Sequence, residues 1–118
     1  MANDKDFVVN GPVAIGKDTK VTVGSITSSD IDLSTGNYFD DTLAANTTYT
    51  ISNAGDVQAF QLEVTGASTY TITWPSSIEW AGGVAPSAPA NGETDVFTFT
   101  TDDGGTSYVG VKTADNLS

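Results

Sequence analysis

Fifteen carboxylates, four lysines and no histidine, cysteine or arginine set the chemistry open to this chain. The acidic side chains include three close pairs, Asp30 with Asp32, Asp40 with Asp41 and Asp102 with Asp103. Converging oxygen donors of this kind hold Ca²⁺, but the EF-hand spacing, with its glycine and closing Glu, is absent. Asp102 and Asp103 run straight into Gly104-Gly105, and Asp before Gly is turn chemistry in its own right. The pairs therefore read as turn and solvating residues, and no metal is expected. Two carboxylates held about 5–10 Å apart can hydrolyse a glycosidic bond, yet so acidic a chain offers many such pairs and none is singled out. The aromatic candidates are Tyr70, Trp74 and Trp80, which could stack on sugar rings but, in alternating β segments, are core candidates first.

Absences narrow the field further. Without His, Cys and Arg the chain lacks the usual zinc ligands, the commonest general base near neutral pH, the Ser-His and Cys-His nucleophile systems and the Arg clamp for phosphate. No glycine-rich loop carries the Lys-Ser/Thr ending of a phosphate cradle. The expectation is a protein that is not an enzyme and uses no cofactor. A formal net charge of -11 argues against nucleic acid, whose phosphates need clustered Lys or Arg. No apolar run approaches the roughly 18–20 residues that span a membrane, and MANDKDFVVN has neither the basic start nor the apolar run of a signal peptide. No membrane insertion and synthesis in a cytoplasm are expected.

The elements that would position these residues are strands. Val, Ile, Thr, Phe and Tyr recur in short runs broken by Gly, Asn, Asp and Pro, and no window keeps a 3.6-residue period. Residues 6–10, 13–15 and 20–26 form the weakly apolar first third, with Val21 and Val23 on one face. A polar connector spans 27–36. Strands are then expected around 37–39 and over 48–52, 57–65 and 69–74, with Phe60, Leu62 and Val64 alternating against Gln61 and Glu63. Residues 75–92 hold three of the four prolines and read as an irregular loop pinned by Ile78 and Trp80. A hairpin of 94–101 and 106–112 closes around Asp102-Asp103-Gly104-Gly105, and residues 113–118 read as a loose polar tail. The expected fold is all-β, a small antiparallel β-sandwich or jelly-roll-like barrel with an extended N-terminal arm. At 118 residues the chain is one domain, with 1–26 as arm or edge strands and 27–118 as the sandwich.

Six segments together carry a resemblance. They are Ile72-Thr73-Trp74-Pro75, Trp80-Ala81-Gly82-Gly83, Ala85-Pro86, residues 95–100, Asp103-Gly104-Gly105 and Tyr108-Val109-Gly110. In this order the chain resembles a module of phage tail-fibre and virion-surface proteins, particularly those of marine and cyanobacterial phages. Weaker similarity runs through residues 43–64, and Asp6-Phe7-Val8-Val9-Asn10-Gly11 is similar to the openings of some marine phage fibres. The length suits a compact module used alone more than a fibre with shaft and tip.

The resemblance implies a phage virion structural protein on the outer surface of the particle, first of all an outer-capsid decoration protein that binds and stabilises the shell. Its partners would be the major capsid protein or tail components, and copies of itself, a trimer for instance. The alternative is a short tail-fibre or adhesin-like appendage that binds host-surface glycan. Contacts are expected from Phe7, Val8 and Val9 in the arm and from Trp80 and Tyr108 near the Pro-rich loop. The resemblance implies no catalytic residues.

Overall fold

A computed structural model describes residues 22–117. Phe7, Val8 and Val9, and the strands expected over 6–10 and 13–15, lie outside the described residues. Within them the chain is mostly β, ten strands in three sheets with one 3-10 turn. The opening hairpin pairs β1 (Ile26–Thr27) antiparallel with β2 (Asp30–Asp32), matching Ile26 to Ile31. The connector expected at 27–36 is therefore partly strand. Its tight turn was hidden because Ser28 and Ser29, not Gly or Asn, take the left-handed φ values of 52° and 64°. The expected domain boundary after residue 26 falls inside β1.

β3 (Tyr38–Thr42) is followed by β4 (Thr47–Thr48) and β5 (Thr50–Ser52), two ladders where one strand over 48–52 was expected. They split because β5 runs beside β2 while β4 runs beside β7 (Ile72–Thr73), both in parallel. β6 (Gln58–Thr65) has the expected alternation, with Phe60, Leu62 and Val64 buried. The proline-rich segment contains a strand after all, β8 (Ile78–Trp80), followed by the 3-10 turn at Ala81–Gly83. Pro75, Pro86 and Pro89 flank this strand, so no ladder donor is lost. β9 (Thr94–Thr101) and β10 (Tyr108–Leu117) form the closing hairpin.

The five-stranded sheet has the order β3-β6-β9-β10-β8. Its central pairs, β6 with β9 and β9 with β10, are antiparallel, whereas β3 beside β6 and β8 beside β10 are parallel. This corrects the expected all-antiparallel pairing. Alternation along a strand is the same in both ladder types, and direction is decided by the connection. Between β3 and β6, residues 43–57 cross over and carry β4 and β5, which belong to the two smaller sheets.

One core joins the five-stranded sheet to these short ladders. Phe39, Phe60, Leu62, Val64, Phe97, Phe99 and Tyr108 meet Ile31, Leu33, Leu43 and Tyr49, all buried, with Ile51, Ile72 and Trp74 partly buried against them. Burying each large apolar side chain is worth roughly 1.5–3 kcal/mol, so this single cluster is the main source of stability.

The tail does not hang loose. β10 continues to Leu117 through two register shifts, because the buried Asp95 carboxylate accepts the backbone N–H of Asn116 at 2.9 Å and lies 3.6 Å from Lys112 Nζ. Asn116 can serve there since it tolerates the left-handed φ of 55°. A buried carboxylate among polar residues is a clamp that strand periodicity does not reveal.

Candidate functional site

None of the acidic pairs forms a site. Asp30 accepts hydrogen bonds from Thr50 Oγ1 and Ser52 Oγ, and Asp32 Oδ1 accepts from Ser34 N, Ser34 Oγ and Asn53 Nδ2. Asp103 closes the β9–β10 turn by accepting from Ser107 N, Ser107 Oγ and Thr101 Oγ1. There Gly104 and Gly105 hold φ of 72° and 88°, which a side chain rarely adopts. Asp41 accepts the Tyr49 hydroxyl at 2.6 Å. Among the described residues no three acidic side chains cluster as metal ligands would.

These bonds give the stability a pH profile. Hydrogen bonds from Ser34 and then Asn53 hold Asp32 below the ordinary carboxylate range, and the Ser107 backbone and hydroxyl do the same for Asp103. Both side chains therefore take up a proton less readily folded than unfolded. Their stabilisation is present above about pH 4 and lost as pH falls through their lowered values. Burial raises Tyr38, Tyr49 and Tyr108, with Glu63, Asp41 and Asp103 respectively adding to the effect. That contribution is intact below about pH 10 and lost as pH rises through the raised values. Thermal unfolding followed from acid to alkali should show a plateau between these limbs. An Asp103→Asn variant should have a shallower acid limb, and an unchanged limb would contradict the turn geometry.

Two surfaces remain. The first is a groove of about 700 Å³ between β7, β8 and the loop after the 3-10 turn, lined by Tyr70, Trp74, Pro75, Trp80 and Pro86 among others. Trp74 is its hub. Its ring centroid lies 4.9 Å from Phe97, 5.1 Å from Trp80 and 5.5 Å from Tyr49. Its indole N–H donates to the Pro86 carbonyl at 3.1 Å, tying the proline-rich loop over the ring. Trp80 lies across Gly110, where an added Cβ would stand 3.0 Å from Trp80 Cζ3.

Family models, curated proteins and solved structures offer no match to this chain.

Of the expected contacts, Trp80 lines the groove but Tyr108 does not. Tyr108 is 4% exposed and packs edge-on against Phe60, so the two residues do not share one surface. Alternation alone could not separate them, since both side chains project to the core side of the sheet. What puts Trp80 in the groove is its place on an edge strand.

The second surface is the outer face of the five-stranded sheet. Residues alternating with the core place Ala59 and Gln61 of β6, Thr98 and Thr100 of β9, and Val109 and Val111 of β10 side by side. Val109 is 56% and Val111 38% exposed. Gln61 Nε2 donates to Thr98 Oγ1 at 3.3 Å, Thr98 and Thr113 share a hydroxyl bond at 3.1 Å, and Thr113 Oγ1 donates to the Val96 carbonyl at 3.2 Å. The polar groups of this face bond to one another across three strands, so covering them costs less than stripping water from unpaired ones. The centre of this face is neutral, and carboxylates border it: Glu63 next to Gln61 on β6, Asp40 opposite Glu63 on β3, Glu79 opposite Val109 on β8, and Asp102 just after β9. Sequence reading paired Val109 with Val111 correctly. It missed the neutral central strip that the neighbouring strands complete. No described helix is long and apolar enough to cross a membrane.

Proposed function

We propose that this protein is a structural component of a phage virion, a decoration protein on the outer surface that binds the shell or neighbouring copies through the open face of its five-stranded sheet. Its finer architecture is a sandwich-like pair of layers, the large sheet against the β1-β2-β5 and β4-β7 ladders. The observation that carries the reading is the neutral, self-bonded strip of Ala59, Gln61, Thr98, Thr100, Val109 and Val111 at the centre of that face, with carboxylates only around it, on a strongly acidic body. Interface cores are depleted in charge, and a protein of this charge approaches other acidic surfaces most favourably where its own carboxylates are missing. Carboxylates on the remaining surface face water. The resemblance of residues 72–110 to virion-surface modules supports the same reading.

The test joins location to this face. Antibodies against the purified protein, used for immunogold labelling of intact particles, should mark the outer shell. Val109→Lys with Val111→Lys should leave the circular-dichroism spectrum unchanged while weakening attachment at least tenfold, about 1.4 kcal/mol. Unlabelled particles, or full attachment by the double variant, would refute the proposal.

A further inference from the structure

We infer that the Trp74–Trp80 groove is a binding site for a neutral carbohydrate, a capacity beyond attachment and located on a different part of the molecule. Its volume of about 700 Å³ falls within the range of small-ligand sites. The lining combines three aromatic side chains, Tyr70, Trp74 and Trp80, with the hydroxyl residues Thr71, Thr73 and Ser76. Pyranose rings present a C–H face that packs on aromatic rings and a rim of hydroxyls that pair with groups able both to donate and to accept.

Charge selects the ligand class. No residue lining the groove is charged, in a chain of formal net charge -11. An anionic sugar, a phosphate or a uronate would meet repulsion from the surrounding carboxylates and no cation to receive it. A cation would find no carboxylate in the lining to hold it. A neutral glycan pays neither penalty.

The same geometry disfavours a proline-rich peptide, the other usual occupant of aromatic grooves. The Trp74 indole N–H is already committed to the Pro86 carbonyl, so that donor is not offered to a peptide backbone. The groove is also fixed in advance. Trp74 is held by its aromatic neighbours and by that bond, and Trp80 rests in the space left by Gly110, so few rotamers remain to be frozen on binding.

The experiment uses the full chain in solution. Maltotriose, cellotriose and triacetylchitotriose are titrated into ¹⁵N-labelled protein while the two tryptophan indole N–H signals are followed, with polygalacturonate and a proline-rich decapeptide run in parallel. At least one neutral sugar should shift both signals saturably, and the polyanion and the peptide should not. Trp80→Ala should weaken binding at least tenfold. Because that change also touches the core, Thr71→Val serves as a second variant. It leaves the aromatic cluster intact, keeps the side chain's shape, removes one hydroxyl from the lining and should weaken binding severalfold. Silence with all three sugars and with an array of neutral glycans would overturn the inference, as would preferential binding of the polyanion or the peptide, or unchanged affinity in both variants. All readouts are on the isolated protein, so failure here leaves the attachment proposal standing, and the Val109/Val111 variant should bind sugar normally.

Discussion

Phe99→Ala should lower the unfolding free energy by about 3–5 kcal/mol, the range for emptying a large aromatic site in a packed core. Phe99 is 1% exposed in the middle of β9. Its ring stacks on Phe60 at 4.9 Å, and the rings of Trp80 and Trp74 stand 5.5 Å and 5.9 Å away. Three strands and the groove therefore lean on one side chain, and rigid rings on every side cannot collapse into the space. Domains of this size are stable by about 5–15 kcal/mol in total, so the variant should unfold at far lower urea, with its midpoint displaced and its slope kept. Val111→Ala, on the outer face of the next strand, is the control and should cost under about 1 kcal/mol. Equal effects from the two would contradict the assignment of inner and outer faces.

Gly110→Val is expected to be nearly as damaging, by crowding instead of by emptying. A Cβ at this position would stand 2.8 Å from Ile78 Cγ2, 3.0 Å from Trp80 Cζ3 and 3.1 Å from Phe99 Cδ1. Valine adds two further methyl groups to that clash. Overpacking of this kind costs about 1–3 kcal/mol, and the upper end applies because two of the three neighbours are rigid rings. The strain should lift Trp80, so tryptophan emission should move to longer wavelength while the far-ultraviolet spectrum stays β-like. Unchanged emission together with unchanged stability would show that Trp80 does not lie across this strand.

Much of the fold was legible because it follows from period-two burial. Phe60, Leu62 and Val64 alternate with polar residues, Phe97 and Phe99 do the same, and Asp103-Gly104-Gly105 announces its turn. Strand direction was not legible, since alternation is blind to it and the crossover over 43–57 is made of short, polar ladders that resemble loop. β8 was masked by the prolines around it, and the Ser28-Ser29 turn by the absence of glycine. At the candidate site, Trp80 could be picked out as an aromatic in a loop-like segment. Trp74 was taken for core and is both core and groove wall. Tyr108 was grouped with Trp80 as a contact, whereas its ring is buried edge-on against Phe60, which alternation along a strand cannot reveal.

The parallel pairing of β8 with β10 has a consequence for the order in which the chain can mature. β8 joins the large sheet only through β10, which is synthesised some thirty residues after it, so Ile78 waits for Tyr108 and Trp80 for Gly110. Closing such distant segments is entropically slow compared with forming the β9–β10 hairpin. The tryptophan wall thus cannot set before β10 is made, and a nascent polypeptide stalled before residue 108 leaves Trp80 uncovered for chaperones or for aggregation.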